Sequence, residues 1–119
     1  MKKVILGSVM AVASVGAFAS ADQNFCTGAS KPSPASVVTN SGTDNNFVKV
    51  SFTPKCSANI SLAGRDGGVY YLVGSGSSKG KTSFKGSTAG GGIVSNATCA
   101  TTGCAISDAT TAMNAAPSS

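Results

Sequence analysis

From residue 47 onward the chain alternates between apolar and polar positions. Phe47 to Thr53 sets Val48, Val50 and Phe52 on one side and Lys49, Ser51 and Thr53 on the other, the period of two of a half-buried strand, and Pro54 ends the run. Ser57 to Ala63 repeats the alternation, with Ala58, Ile60 and Leu62 opposite Ser57, Asn59 and Ser61. The run Gly64-Arg65-Asp66-Gly67-Gly68 then reads as a turn before an apolar strand, Val69 to Val73. This is the clearest hairpin in the chain, because Asp-Gly and Gly-Gly tolerate the positive φ angles that tight strand reversals demand.

Elsewhere the pattern is weaker. Ser20 to Asn46 is mostly turn-forming: Lys31-Pro32-Ser33-Pro34 favours extended backbone, Ser36 to Thr39 predicts a short strand, and Asn40 to Asn46 is a polar loop. Gly74 to Gly92 shifts to Gly, Ser, Thr and Lys, with a short strand expected at Thr82 to Lys85 and loop at Gly90-Gly91-Gly92. Asp108 to Ala116 predicts a short helix capped by Ser107 or Asp108, with Met113 its large apolar side chain, and Pro117 to Ser119 is expected to fray. The fold class that follows is all-β or mainly β: a small antiparallel sheet or sandwich with long Gly/Ser-rich loops and a short C-terminal helix.

The N-terminus changes what the rest can be asked to do. Lys2 and Lys3 precede an apolar stretch, Val4 to Phe18, and Ala17-Phe18-Ala19 has the small-x-small form of a signal peptidase site. The stretch is short and rich in Gly, Ser and Ala, whereas a transmembrane helix needs about 20 strongly apolar residues. Residues 1–19 are therefore expected to be a secretory signal peptide and residues 20–119 a single small exported domain, periplasmic or secreted, with no transmembrane span. The short Met-Lys-Lys start points to a bacterial source.

Composition agrees with that compartment. Four cysteines, Cys26, Cys56, Cys99 and Cys104, in a short exported chain read as a disulfide framework. Of the three possible pairings, Cys26 with Cys56 and Cys99 with Cys104 are favoured: the first ties the N-terminal segment to a strand end, the second closes a tight loop at Gly103. Without His, Glu or a Cys-x-x-Cys spacing, neither a metal site nor a cofactor is expected.

After the leader, seven Lys and Arg minus four Asp leave a net charge of +3, against +5 for all 119 residues. Lys79, Lys81 and Lys85 cluster in the Gly/Ser-rich stretch, and Arg65 lies in the hairpin turn. These four are the candidate anion-binding residues, for lipopolysaccharide, a cell-wall polymer or DNA, through screened and salt-sensitive attraction.

The same stretch imitates a phosphate-binding loop, and its spacing argues against one. Before Gly80-Lys81-Thr82 such a loop needs four residues after its first Gly; Gly74 leaves five and Gly76 leaves three. No helical period follows at Ser83-Phe84-Lys85-Gly86 to complete the anion site. No nucleotide is therefore expected as partner.

No catalytic residues are expected either. The common general acids and bases are missing, and a Ser78-x-x-Lys81 dyad would sit where nothing depresses the lysine pKa. Asp44 and Asp66 stand beside turn residues, where Asp usually accepts backbone hydrogen bonds. The sequons Asn59-Ile60-Ser61 and Asn96-Ala97-Thr98 carry no weight in a chain this rich in Asn, Ser and Thr.

The spacing of Cys26 and Cys56 resembles that of chaperone-assembled pilus subunits, but Ala112 to Pro117 departs from the alternating strand with a terminal Tyr that closes those subunits, so no residue role carries over. The expected function is that of a non-enzymatic exported protein acting by contact, with an anionic envelope polymer or another exported protein as partner. A fibre subunit whose unpaired edge at Phe47 to Thr53 accepts a neighbour's strand is the further alternative.

Overall fold

The computed structural model describes residues 22–36, 47–100 and 102–118. The fold is mostly β, with seven strands among the described residues, β1 (Gln23–Thr27), β2 (Ser33–Pro34), β3 (Lys55–Cys56), β4 (Ile60–Asp66), β5 (Tyr71–Ser77), β6 (Thr82–Ser87) and β7 (Val94–Thr98), followed by helix α1 (Ile106–Asn114). Five strands form one antiparallel sheet in the order β1-β4-β5-β6-β7, and β2 pairs with β3 separately. The expected strand at Ser36 to Thr39 and the loop at Asn40 to Asn46 lie, apart from Ser36, outside the described residues, as do the leader and Asp44.

The expected hairpin exists, but its turn sits further along the chain. Gly64, Arg65 and Asp66 belong to β4, and Asp66 pairs with Tyr71 across the hairpin. The reversal runs through Gly67 to Tyr70, where the Gly67 N–H donates to the Tyr70 carbonyl at 2.9 Å and Gly68 takes φ +86°. Val69, placed in a strand by its apolar character, is the exposed tip of this turn.

Helix α1 packs on one face of the sheet. Ala63, Leu72, Ala109, Met113 and Ala116 form a buried cluster there, edged by Tyr70 and Ile106. Met113 is fully buried, which contributes about 1.5–3 kcal/mol. The helix begins two residues earlier than its polar signals suggest, and Asp108 serves in its first turn: the carboxylate accepts the Ala105 N–H at 2.8 Å, which holds the chain entering the helix.

The opposite face carries a second cluster of Phe25, Cys26, Ala35 and Cys56, with Val48, Leu62 and Tyr71 packed against it. Because both faces are covered, the polar side of the β4 alternation is not solvated. Ser61 is 1% exposed and Ala63 is fully buried, while Ile60 and Leu62 on the other face are only half-buried.

Three expectations need correction. Gln23–Thr27 is a strand rather than turn-forming chain; a register shift between Asn24 and Cys26 turns the consecutive Phe25 and Cys26 both inward, which hides the period of two. Phe47 to Thr53 is not a paired strand and offers no strand edge. The Phe47 and Val48 N–H groups both donate to the Asp66 carboxylate at 2.9 Å, Val50 is 77% exposed, and only Phe52 forms an isolated bridge. Finally, Gly74 to Ser77, expected as loop, is the second half of β5, so the Gly/Ser-rich stretch is mostly sheet; the Gly90-Gly91-Gly92 segment does connect two strands, β6 and β7.

Both expected disulfides are present. Cys26–Cys56 holds the β2–β3 layer against β1, and Cys99–Cys104 joins the end of β7 to the start of α1.

Candidate functional site

Lys79 and Lys81 sit in the short connection between β5 and β6, and the connection is well anchored. The Gly80 N–H donates to the Ser77 carbonyl at 3.0 Å and the Lys79 N–H to the Ser77 hydroxyl at 3.2 Å. The Ser78 N–H reaches the Asn59 carbonyl at 2.8 Å, the Cys104 N–H reaches the Ser77 carbonyl at 2.9 Å, and the Cys99 N–H reaches the Lys81 carbonyl at 2.7 Å. The two lysines are exposed on a turn tied to β4, β7 and the disulfide loop. Ser78 is exposed as well, so nothing desolvates a Ser78–Lys81 pair.

Lys85 lies within β6, opposite Gly74. A Cβ at Gly74 would meet Met113 of α1, so Gly74 and its partner Lys85 share the helix face of the sheet. Phe84 points the other way, opposite Ser75, and lines a groove of about 290 Å³ with Ile60, Ser77, Lys81 and Thr82. Phe84 is 42% exposed and Ile93 is 68% exposed, so this half of the face lacks the cover that Phe25 and Tyr71 receive.

Arg65 is not part of this cluster. It stands on β4 opposite Leu72, at the start of β5, whereas Lys79 and Lys81 follow the end of β5. Its guanidinium makes an ion pair with Asp22 and donates to Asn114 Oδ1 at 2.7 Å, at the C-terminus of α1 where a cation is favoured.

Charge is segregated along the chain. Residues 67–107, which include β5, β6 and β7, contain three lysines and no acidic residue. Each described aspartate is engaged elsewhere: Asp22 with Arg65, Asp108 with the Ala105 N–H, and Asp66 with the N–H groups of Phe47, Val48 and Gly68.

Two groups titrate away from their ordinary values, and both belong to the support of the hairpin. Burial works against the Asp66 carboxylate, but the N–H groups of Val48, Phe47 and Gly68 and the charge of Lys49 outweigh it, holding Asp66 below the usual 3.8. The Tyr71 hydroxyl is pushed up to about 12 by burial and by the negative charge of Asp66.

Among the described residues no group of three or more His, Cys, Asp or Glu is placed to hold a metal ion, and no helix is long and apolar enough to cross a membrane. Where a phosphate-binding loop would continue into a helix, Thr82 opens strand β6 instead.

Sequence reasoning placed Lys79, Lys81 and Lys85 in one Gly/Ser-rich stretch, with Phe84 in a short strand, and did not expect the strand β7 beside it. Val94 to Thr98 has one large apolar residue and no alternation, so strand pairing could not be read from it. No protein-family model matches this chain, and no curated protein or solved structure matches it.

Proposed function

We propose that the chain is an exported, non-enzymatic domain that acts by contact, and that its partner is an anionic component of a bacterial envelope held by Lys79, Lys81 and Lys85. The observation that carries this reading is the charge segregation: β5, β6, β7 and their connections hold three lysines and no carboxylate, while the described aspartates are engaged by Arg65 or by backbone N–H groups. Uncompensated positive charge on a small domain raises the local concentration of anions and speeds their encounter. The two disulfides support the exported part of the reading, since such bridges persist in oxidising compartments. Arg65 has no role in this contact, because its charge is neutralised by Asp22.

A salt titration tests it. The mature chain should bind lipopolysaccharide or DNA at low ionic strength and release it as salt screens the attraction. The combined Lys79→Gln, Lys81→Gln and Lys85→Gln variant should lose most of that binding, while Arg65→Gln should retain it. Absence of binding at low ionic strength, or binding indifferent to the three lysines, would overturn the proposal.

A further inference from the structure

The face of the sheet turned away from α1 is covered over only part of its width. Phe25, Ala35, Val48 and Cys56 pack with Leu62 and Tyr71, whereas Phe84 and Ile93 stay 42% and 68% exposed. Register explains what is left. Ser75 pairs with Leu62 on one side and with Phe84 on the other, and Ile60 pairs with Ser77, so these side chains share one face. The small Ser75 and Ser77 form the floor between the apolar walls of Ile60 and Phe84, which makes the groove of about 290 Å³. Further along the same face of β5, Val73 pairs with Gly86, and Ile93 takes the space that a side chain at Gly86 would need. Val73, Ile93 and Tyr71 line a second groove there, of about 250 Å³. The two grooves thus follow each other along β5. Charge stands at their ends: Lys81 lines the first groove, with Lys79 in the same turn, and Asp66 pairs with Tyr71 at the far end.

We propose that these grooves hold one acyl chain of an anionic lipid, its head group at Lys81 and Lys79 and its hydrocarbon between Ile60, Phe84, Val73 and Ile93. This rests on the anionic-partner reading and adds that the partner is acylated. Each half of the trough selects one half of the ligand. A polyanion without hydrocarbon would meet Lys81 and leave Phe84 and Ile93 in water, while a neutral apolar molecule would forgo the lysines. Polarity also fixes the direction: an anionic head avoids the Asp66 end and meets two lysines at the other. From Val73 to Ser77 the face runs four residues, about 14 Å, a length that about eleven carbon–carbon bonds of an extended chain also cover. One chain or one pair of exposed lysines binds weakly alone, and the two together hold a lipid, as an acyl chain and a basic patch do at a membrane. Lys85 stands on the helix face opposite Gly74 and reaches neither groove.

The test titrates the isotope-labelled mature protein with dodecanoate below its micelle concentration and follows the backbone amide shifts. Binding should saturate, with the shifts concentrated at Ser75, Ser77, Lys81 and Phe84 and absent from Ala109 to Met113. Butanoate, which keeps the charge, and dodecyl maltoside, which keeps the chain, should each bind about tenfold more weakly or worse. Lys79→Gln combined with Lys81→Gln should weaken dodecanoate binding by about fivefold or more and remove its salt dependence, whereas Lys85→Gln should change it by less than about twofold. Phe84→Ser, a change at an exposed position, should weaken it by about tenfold. Ser75→Leu separates a groove from a surface that is merely apolar: it adds hydrocarbon but fills the floor, so it should weaken binding, and unchanged or stronger binding would overturn the proposal. Equal affinity for dodecyl maltoside, or shifts spread over α1, would overturn it too. Dextran sulfate bound without dodecanoate would overturn the acyl chain and leave the anionic-partner reading standing, and failure of both at low salt would remove both. Phosphatidylglycerol vesicles bound without monomeric dodecanoate would assign the face to a bilayer surface and overturn the groove.

Discussion

Gly74 of β5 has no side chain because the backbone of Met113 occupies its place: a Cβ there would lie 2.5 Å from the Met113 nitrogen and would overlap the Ala109 carbonyl oxygen. The contact is between backbones, so no rotamer change can relieve it. Gly76 repeats the arrangement one pleat further on, where a Cβ would lie 2.5 Å from the Cβ of Cys104.

Gly74→Ala should therefore push α1 off the sheet and destabilise the fold by about 1–3 kcal/mol or more, the cost of overpacking where the neighbour is backbone. Gly90→Ala, with nothing within 4 Å of the added methyl group, should change stability by less than about 0.5 kcal/mol. Urea midpoints of the two variants against the parent chain decide the matter; equal midpoints would mean that the helix does not approach the strand this closely.

The same glycines explain where sequence reading stopped. Leu72, Gly74 and Gly76 continue one period-two face, and Tyr71, Val73, Ser75 and Ser77 the other, yet Gly and Ser read as turn residues because their backbone freedom is a stronger local signal than their small size. The alternation of β4 and the nearby Asp-Gly and Gly-Gly were legible, and so was the hairpin. The turn was placed too early because Gly64 lacks a side chain for a tertiary reason: a Cβ would lie 2.5 Å from the Phe25 ring. Both cysteine pairings were legible from spacing and local context. The diversion of Phe47 and Val48 onto Asp66 was not, since a single carboxylate nineteen residues away took the backbone groups that a strand would have used.

Asp66 should make the fold acid-sensitive. Its folded pKa lies below the ordinary 3.8, so the stability it contributes is fully present above that value and is lost as pH falls through the folded pKa. Asp66→Asn replaces a carboxylate that accepts three backbone N–H groups with a neutral amide, and it should lower stability at neutral pH by about 2 kcal/mol. It should also flatten the decline of stability below pH 3.8. Chemical denaturation repeated across that range measures both, and an unchanged acid limb in the variant would rule Asp66 out as its source.

Tyr71 gives the alkaline counterpart. Its hydroxyl is buried without a hydrogen-bond partner among the described residues and titrates near 12 instead of 10.0. A pKa raised on folding means stability fully present below pH 10 and lost as pH rises toward 12. Tyr71→Phe removes the unsatisfied group while keeping the ring against Phe47, whose centroid is 6.5 Å away. It should leave the fold as stable as before or raise stability by about 1 kcal/mol. Tyrosinate absorbance should lose its high-pH phase in this variant; a retained phase near 12 would mean that Tyr71 is not its source.

The two disulfides should differ in what their removal costs. Cys26–Cys56 closes a separation of 30 residues and Cys99–Cys104 one of 5, which in the chain-entropy model correspond to about 3.7 and about 2.2 kcal/mol. Geometry widens the gap. Cys26 and Cys56 form the packed cluster with Phe25 and Ala35, so replacing both with Ser also introduces hydroxyls into an apolar site. The short bridge acts locally, holding the start of α1 beside the end of β7. Its double Ser variant should fold with a modestly lowered melting temperature and with faster amide exchange concentrated at the start of α1, whereas loss of the long bridge should lower protection across β1 and β4 together. A larger destabilisation from removing Cys99–Cys104 would mean that the docking of the helix, rather than the Phe25 cluster, limits the stability of the fold.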